Sequence, residues 1–527
     1  MNFETDKTLF YYGVGALGVL LLLRKIFQYG SRPKGFPPGP PTIPILGNIL
    51  QMPTKNFHLE FQKLAQQFGP ILSMKLGGQT LVLLNDPTVV RDLIEKRSSN
   101  YSYRPDLYIR HFGENLNIAF RNNDDIWRRQ RKTYHVRLNV KSADNYLPYQ
   151  ASDAVSHVQR YTASISTALL YGWRTPVTNT GYVKDLLEWM DVTSEAANFQ
   201  LVDFYAFLRP FYHWLPYWLV SNKRKLHHLQ QLEDRVFNQL LNRAKESIEA
   251  GQNSPSFIRD MLLDTSEDRL SDKQIAHNAA HGFGAAMDTS ANTILGFIKA
   301  MVLFPEVQMK AQEEIDSVIG LGLIPTWDDR KDLPYIRGVV EETLRWAPSP
   351  LSAAVPHSAK AEDVYNGMTI PQGSMVMMNV WTLNHQGLKN PRDFDPLRHN
   401  TDTTLTENNA INQDSTKRLH FTFGAGRRVC PGFHVAERNL FIAISRILWG
   451  FTITSAIDAQ GQPVPINRDA VTPGLIVRPE DFECTITPRS PGHKTLIENL
   501  WKESEKNLDS EGNFTPAFID SVFGARK

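Results

Sequence analysis

The sequence predicts a mainly α-helical protein: one large helical domain with small β-sheets, preceded by a single transmembrane helix. Three observations carry this reading. An uncharged apolar run, Thr8–Leu23, lies near the N-terminus. A helical pattern of more than 30 residues begins at Ser271 and stops at Pro305. Strand-like segments are short and few. Composition agrees, since 42% hydrophobic and 21% charged residues in a chain of 527 describe a globular protein rather than a disordered one. The formal net charge of +2 gives no global attraction to nucleic acid. Two cysteines, Cys430 and Cys484, exclude a disulfide framework and a multi-cysteine zinc site, and fit a reducing compartment.

The apolar run would rise roughly 24 Å as a helix, slightly short of a ~30 Å hydrocarbon core. Arg24 and Lys25 follow it and can snorkel. Glu4 and Asp6 ahead of the run, and no small-x-small cleavage site after it, argue against a signal peptide. The basic flank after the span predicts a cytosolic body. Residues 1–29 therefore read as a membrane anchor, with a helix buried in the core as the alternative. Residues 30–48 contain FPPGPP, a proline-rich hinge that cannot continue a helix. Residues 49–498 form the main domain and residues 499–527 a C-terminal tail.

Within the main domain, ILSMKLGGQTLVLLN at 71–85 alternates like a hairpin through Gly77-Gly78, and SMVMMNVWTLN at 374–384 and CTITP at 484–488 also read as strands. Ser271 and Gln274 form a capping box at the start of the long helix. Gly282 and Gly284 weaken it by roughly 1 kcal/mol each relative to alanine. Asp288, Thr289 and Ser290 lie at its middle. Local sequence supports equally one continuous helix shaped around something, or a second helix capped by Asp288 or Thr289.

The segment FTFGAGRRVCPGFHVAERNL, 421–440, places Cys430 among glycines and arginines just before a helical pattern. Nearby positive charge, backbone N–H groups and a helix N-terminus all stabilise a thiolate. The loop thus suits presentation of one sulfur to a large flat partner. A structural cysteine, a nucleophile paired with His434, and a metal site short of ligands remain alternatives at this level.

The pattern Phe423-x-x-Gly426-x-Arg428-x-Cys430-x-Gly432 resembles the cysteine loop of the cytochrome P450 haem-thiolate monooxygenases. Further segments are similar to family motifs in the expected order: Trp127-x-x-x-Arg131, Gly284-Ala-Ala-Met-Asp288-Thr289-Ser290, Glu342-x-x-Arg345 and Pro396-Leu-Arg398-His399. One departure is Ala286, where the family usually has a glycine beside the dioxygen site. The resemblance reaches about residue 490 and leaves the tail unexplained.

The resemblance implies that Cys430 is the axial ligand of a haem b iron, with Gly432 in the same loop and Phe423 or Phe433 shielding the sulfur. Trp127, Arg131, His357 and Arg428 would bind the haem propionates. Thr289 with Asp288 would be catalytic, supplying protons to the reacting oxygen. Glu342, Arg345 and Arg398 would form a buried structural network. Arg128, Arg129, Lys132, Arg427 and Arg438 are expected to make a basic patch for an acidic redox partner, NADPH-cytochrome P450 reductase, because the chain has no flavin domain and no convincing dinucleotide loop. The pocket would use YSYRPDLYIRHFGENLNIAF, SPLSAAV and TPGLIVRP, mostly apolar segments that suit a lipophilic substrate. VDFYAFLRPFYHWLPYWLV, 202–220, would dip into the bilayer interface, with an ordinary core helix as the alternative. The anchor implies a single-pass protein of the endoplasmic reticulum membrane with a cytosolic catalytic domain. ALLYGWRTP and TSEAANFQLVDF look like filamentous-fungal members that modify secondary metabolites. A reductase-independent isomerase or peroxygenase, disfavoured by the intact Asp288-Thr289 pair, and a non-catalytic haem sensor are the other readings.

Overall fold

The computed structural model describes residues 3–53, 55–139, 158–175, 181–252, 254–352, 354–399, 412 and 414–523. Helices dominate. The N-terminal segment forms one helix, Phe3–Gln28, whose described side chains are largely exposed. Among the described residues no single helix is both long and apolar enough to cross a membrane.

The proline stretch after this helix is docked. Ser73 donates its hydroxyl to the Pro37 carbonyl at 2.6 Å, and the Ser73 amide donates to Pro38 at 2.7 Å. Asn48 accepts from the Lys75 amide at 2.8 Å. Prolines lack amide donors, so the neighbouring strand supplies the bonds that fix them. That strand, β1 (Ile71–Leu76), pairs antiparallel with β2 (Gln79–Leu84) across Gly77-Gly78, as the alternation predicts. The main sheet also contains β3 (His357–Ser358) and β6 (Met375–Met378), in the order β1-β2-β6-β3. Two small sheets pair β4 (Asp363–Tyr365) with β5 (Met368–Ile370), and β7 (Phe451–Ser455) with β8 (Cys484–Pro488).

The 374–384 segment departs from the expectation. Only Met375–Met378 is strand, and Val380–His385 is a helix buried throughout. Asn379, at the junction, donates its side-chain amide to Asn85 at 3.0 Å. A short apolar run fits either period, and here the buried surroundings decide.

The long pattern is one continuous central helix, Asp272–Leu303, opened by the Ser271–Gln274 capping box. Its glycines have packing reasons. A Cβ on Gly284 would lie 2.9 Å from the Trp189 ring, and one on Gly282 would lie 3.1 Å from Leu170 and 3.2 Å from the Tyr134 hydroxyl. These contacts come from helices Val158–Tyr171, Gly181–Ala196 and Asp125–Arg137. On its C-terminal half the central helix shares an apolar core with Pro334–Trp346 and Phe433–Gly450.

The C-terminal residues fold back. Helix Pro491–Glu505 runs through position 499, and helix Pro516–Phe523 buries Ile519 in the same core cluster as Trp173 and Phe257. Arg174 donates to the Gly512 carbonyl at 2.8 Å and lies over the Phe514 ring. Residues 524–527 of the predicted tail lie outside the described residues.

Candidate functional site

Cys430 sits between a 3-10 turn, Gly426–Arg428, and helix Phe433–Gly450. Its amide donates to the Phe423 carbonyl at 2.8 Å, which closes the loop. Gly426 takes φ +64, and a Cβ there would meet the Ile94 carbonyl at 2.4 Å, so only glycine fits this close approach. Phe433 is buried and Phe423 half-buried, with ring centroids 6.3 Å apart on either side of the cysteine in sequence. Burial pushes the Cys430 thiol up, while the Gly432 amide and Arg131 pull it down. A bound cation would complete what those two groups begin.

The predicted propionate ligands converge. Trp127 lies on helix Asp125–Arg137, whose N-cap Asp124 accepts from the Trp127 amide at 2.8 Å. The Arg428 guanidinium lies 4.1 Å from the Trp127 ring centroid. Arg428 donates to the carbonyls of Ser102 and Arg121 at 3.0 and 2.9 Å. Arg131 donates to the carbonyl of Val429, so it also braces the residue before the cysteine. His357 is buried, with Nδ1 held by the Tyr101 carbonyl at 2.6 Å.

Sequence reasoning missed Arg104. It donates to the Val355 and Pro356 carbonyls at 2.6 and 3.0 Å and crowds the same place. A cation set between Tyr103 and Pro105, in a segment read as pocket wall, was the available signal. Burial, then Arg104 and Arg131, pushes Arg428 down to about 8, and burial with Arg131 brings Arg104 down to about 9. Burial and Arg104 push His357 down to about 3. The guanidinium hydrogen bonds of Arg104, Arg131 and Arg428 among the described residues all go to backbone carbonyls. Among the described residues none of these three half-buried guanidinium groups is within ion-pair distance of a carboxylate, although Asp124 acts on Arg428 from farther away, and such a cluster is unfavourable alone. They fit a ligand that brings two carboxylates, as haem does.

Ala285 is exposed and Ala286 and Thr289 half-exposed, although the central helix is otherwise largely buried. This face therefore borders an internal space. Thr289 donates Oγ1 to the Ala285 carbonyl at 2.6 Å. Burial raises the Asp288 carboxyl, and its side-chain hydrogen bond with Asn292 opposes that. Two predicted pocket segments are joined here, because Ser349 and Val477 exchange hydrogen bonds at 2.9 Å each. Ala353, within SPLSAAV, lies outside the described residues.

Of the expected network, Glu342 and Arg345 pair closely, and His399 joins them more closely than Arg398 does. Glu342 receives both Nε and Nη2 of Arg345 at 2.7 Å, and all of these groups are buried. Arg398 approaches only to 3.5 Å, whereas His399 Nε2 lies 2.8 Å from the carboxylate. Burial opposes ionisation of Glu342, but Arg345 and His399 prevail and hold it low. Arg345 donates to the Asn384 carbonyl at 3.1 Å, and Asn384 accepts from the Phe421 amide at 2.8 Å. The network thereby anchors the start of the cysteine loop.

The basic patch needs one correction. Arg438 is 2% exposed, with its guanidinium over the Trp327 ring at 4.7 Å. Helix Phe433–Gly450 is enclosed by neighbours, so a charged residue at this position turns inward over an aromatic face. Arg427 and Arg128 remain exposed, as does Lys132, which pairs with Asp268.

Fold and site together define a helical haem-thiolate protein. The family model described as Cytochrome P450 matches residues 37–152 and 147–485. A cytochrome P450 monooxygenase of Hypocrea virens, virE, is 35% identical over 525 residues, covering 95% of this chain and 93% of the relative. The cytochrome P450 monooxygenase fogE of Aspergillus ruber is 34% identical, covering 94% and 95%. A zebra fish cytochrome P450 solved with abiraterone superposes with a TM-score of 0.65 at 21% identity, covering 83% of this chain and 99% of that one. The chain belongs to the cytochrome P450 family. It is a monooxygenase, hence an oxidoreductase, with haem b held by a cysteine thiolate, and it works with a redox partner on a small molecule.

Proposed function

We propose that this enzyme inserts one oxygen atom of O2 into a lipophilic fungal secondary metabolite, taking electrons from an NADPH-dependent cytochrome P450 reductase at the endoplasmic reticulum membrane. The observation that carries the monooxygenase reading is Cys430 in its loop beside the guanidinium cluster of Arg104, Arg131 and Arg428, whose side-chain hydrogen bonds among the described residues go to backbone carbonyls. When bound, haem supplies an iron whose thiolate ligand favours O–O cleavage. The chain's own residues do the rest. Trp127, Arg131, His357 and Arg428, with Arg104, hold the propionates. Thr289 and Asp288 present a hydroxyl and a carboxyl for proton delivery to the reacting oxygen. The apolar pocket walls orient the substrate and exclude water.

Membrane residence is supported by two features. Phe207, Phe211, Trp214 and Trp218 are 60–79% exposed, which is the reverse of a core helix. The Tyr29 ring, at the end of the N-terminal helix, meets Tyr205 and Phe207 at 6.0 and 6.2 Å. An aromatic face adjoining an apolar helix suits an interface, and would admit substrate from lipid. Fungal secondary metabolism is supported by the fungal monooxygenases that the chain resembles.

Reconstitution of the purified protein with reductase and NADPH in vesicles, supplied with extracts of a strain lacking the gene, tests this. A product heavier by one oxygen from 18O2 is expected. Conversion without reductase or NADPH would overturn the electron route. Recovery of the full-length protein in the soluble fraction would overturn the membrane placement.

A further inference from the structure

One buried cluster of titratable groups has no part in oxygen chemistry. On the N-terminal half of the central helix, His277 and His281 are four residues apart and share a face. That face meets Glu233, which opens the π-helical turn Glu233–Phe237. His277 is 3% exposed, and His281 and Glu233 are 8% exposed. One donor atom from each of the three lies within 4.8 Å of the others.

Ordinary core histidines have partners for their ring nitrogens. Among the described residues Nδ1 of His277 and Nε2 of His281 have none. His281 uses its other nitrogen, Nδ1, on the His277 carbonyl at 2.6 Å, which fixes the ring and leaves Nε2 as the lone-pair nitrogen. Trp189 Nε1 donates to Glu233 Oε1 at 3.2 Å and orients the carboxylate. Phe237 stands edge-on to His277 at 4.9 Å, and Trp189 to His281 at 5.4 Å. Aromatic rings thus flank three ligand-type groups, of which His281 and Glu233 are oriented by a second partner. Burial keeps both imidazoles neutral, His277 falling to about 3 and His281 to about 4, and neutral imidazole is the form that binds metal.

We propose that Glu233, His277 and His281 form a buried site for a divalent transition metal of the zinc class. Two imidazoles and one carboxylate are a borderline donor set that suits zinc, whereas magnesium and calcium require mostly oxygen. Ligand bonds of about 2.0–2.1 Å bring donors to within roughly 3.5 Å of one another, so the cluster contracts modestly on binding. The metal clamps the central helix to segment 233–237. His281 precedes Thr289 by eight residues, about 12 Å along the axis, so the site is separate from the haem. Lys273, one turn before His277, pairs at the surface with Glu114.

The test uses the tag-free, full-length holoenzyme, stripped with chelator, dialysed against micromolar zinc and freed of excess. Zinc per haem iron is read by atomic emission. The proposal expects close to one, at least about tenfold less in His281→Gln and Glu233→Gln, and no change in the exposed-site control His227→Ala. Zinc should also raise the wild-type Tm by about 2 °C or more, and magnesium should not. Wild-type zinc no higher than in the variants, or variants with an intact thiolate-haem spectrum that retain zinc, would overturn it. If both variants misfold, wild-type stoichiometry and metal-selective stabilisation decide alone. The haem spectrum and turnover are read separately, so failure here leaves the monooxygenase reading standing.

Discussion

Thr289 shows how one side chain on a long helix can matter more than its burial suggests. Its hydroxyl donates to the Ala285 carbonyl, one turn back, on the face that borders the internal space. Thr289→Ala keeps the helix and removes the hydroxyl. Product formed per NADPH consumed should fall about tenfold or more, with peroxide released instead, since positioned proton transfer contributes ~10²–10⁴. Unchanged coupling would remove Thr289 from proton delivery. Cys430, Trp127, Arg131 and Arg428 were legible at this scale because each belongs to a short motif whose spacing survives in a linear sequence. Arg104 and His399 were not. Arg104 reaches the site from a loop between aromatic residues, and His399 displaces Arg398 as the nearer partner of Glu342 through a turn whose geometry no spacing rule shows.

At the scale of elements, two close contacts set the frame. Gly284 admits Trp189 against the central helix, and a Cβ there would come within 2.9 Å of a ring that is itself hydrogen-bonded to Glu233. Alanine would gain about 1 kcal/mol of helix propensity, but overpacking against a buried indole costs about 1–3 kcal/mol. Gly284→Ala should therefore lower the Tm, and a raised Tm would show that the ring yields freely. Glu342 is the second contact. Glu342→Gln leaves Arg345 buried with half of its ion pair and should destabilise by about 3–5 kcal/mol. Because Asn384 links Arg345 to the Phe421 amide, the variant should also lose haem on purification. Denaturant midpoints and haem-to-protein ratios check both effects. Element types were readable where a period ran long, as in Asp272–Leu303. The 374–384 run and the burial of Arg438 were not, since both depend on what surrounds the segment rather than on the segment itself.

At the scale of the molecule, acid sensitivity follows from buried neutral histidines. His58 is 1% exposed, stands edge-on to Trp381 at 4.5 Å, and is pushed down to about 4 by burial. His385 is pushed well down by burial and by Arg392, which donates to its Nε2 at 2.8 Å. Both folded values lie below the ordinary histidine value near 6.5. Each contribution to stability is therefore complete above about pH 6.5 and is lost as pH falls, for His58 until about pH 4, by about 1.4 kcal/mol per unit. At pH 5 the loss from His58 alone is about 2 kcal/mol. His58→Gln should reduce the fall in stability between pH 7 and pH 5 by about that amount, and an unaltered pH profile would contradict it. The tail belongs to this scale too. Its docking through Arg174, Gly512 and Ile519 was invisible in sequence because it joins residues more than 300 positions apart.

The whole account depends on the sulfur of Cys430 binding the iron of a haem whose propionates Arg104, Arg131 and Arg428 would hold. The absorbance spectrum of the dithionite-reduced full-length protein under carbon monoxide tests this most directly. The wild type should show the strongly red-shifted Soret band of a thiolate-ligated ferrous carbonyl haem, and Cys430→Ser should lose it. A folded wild-type protein that binds no haem, or one whose band is unchanged by Cys430→Ser, would contradict the account.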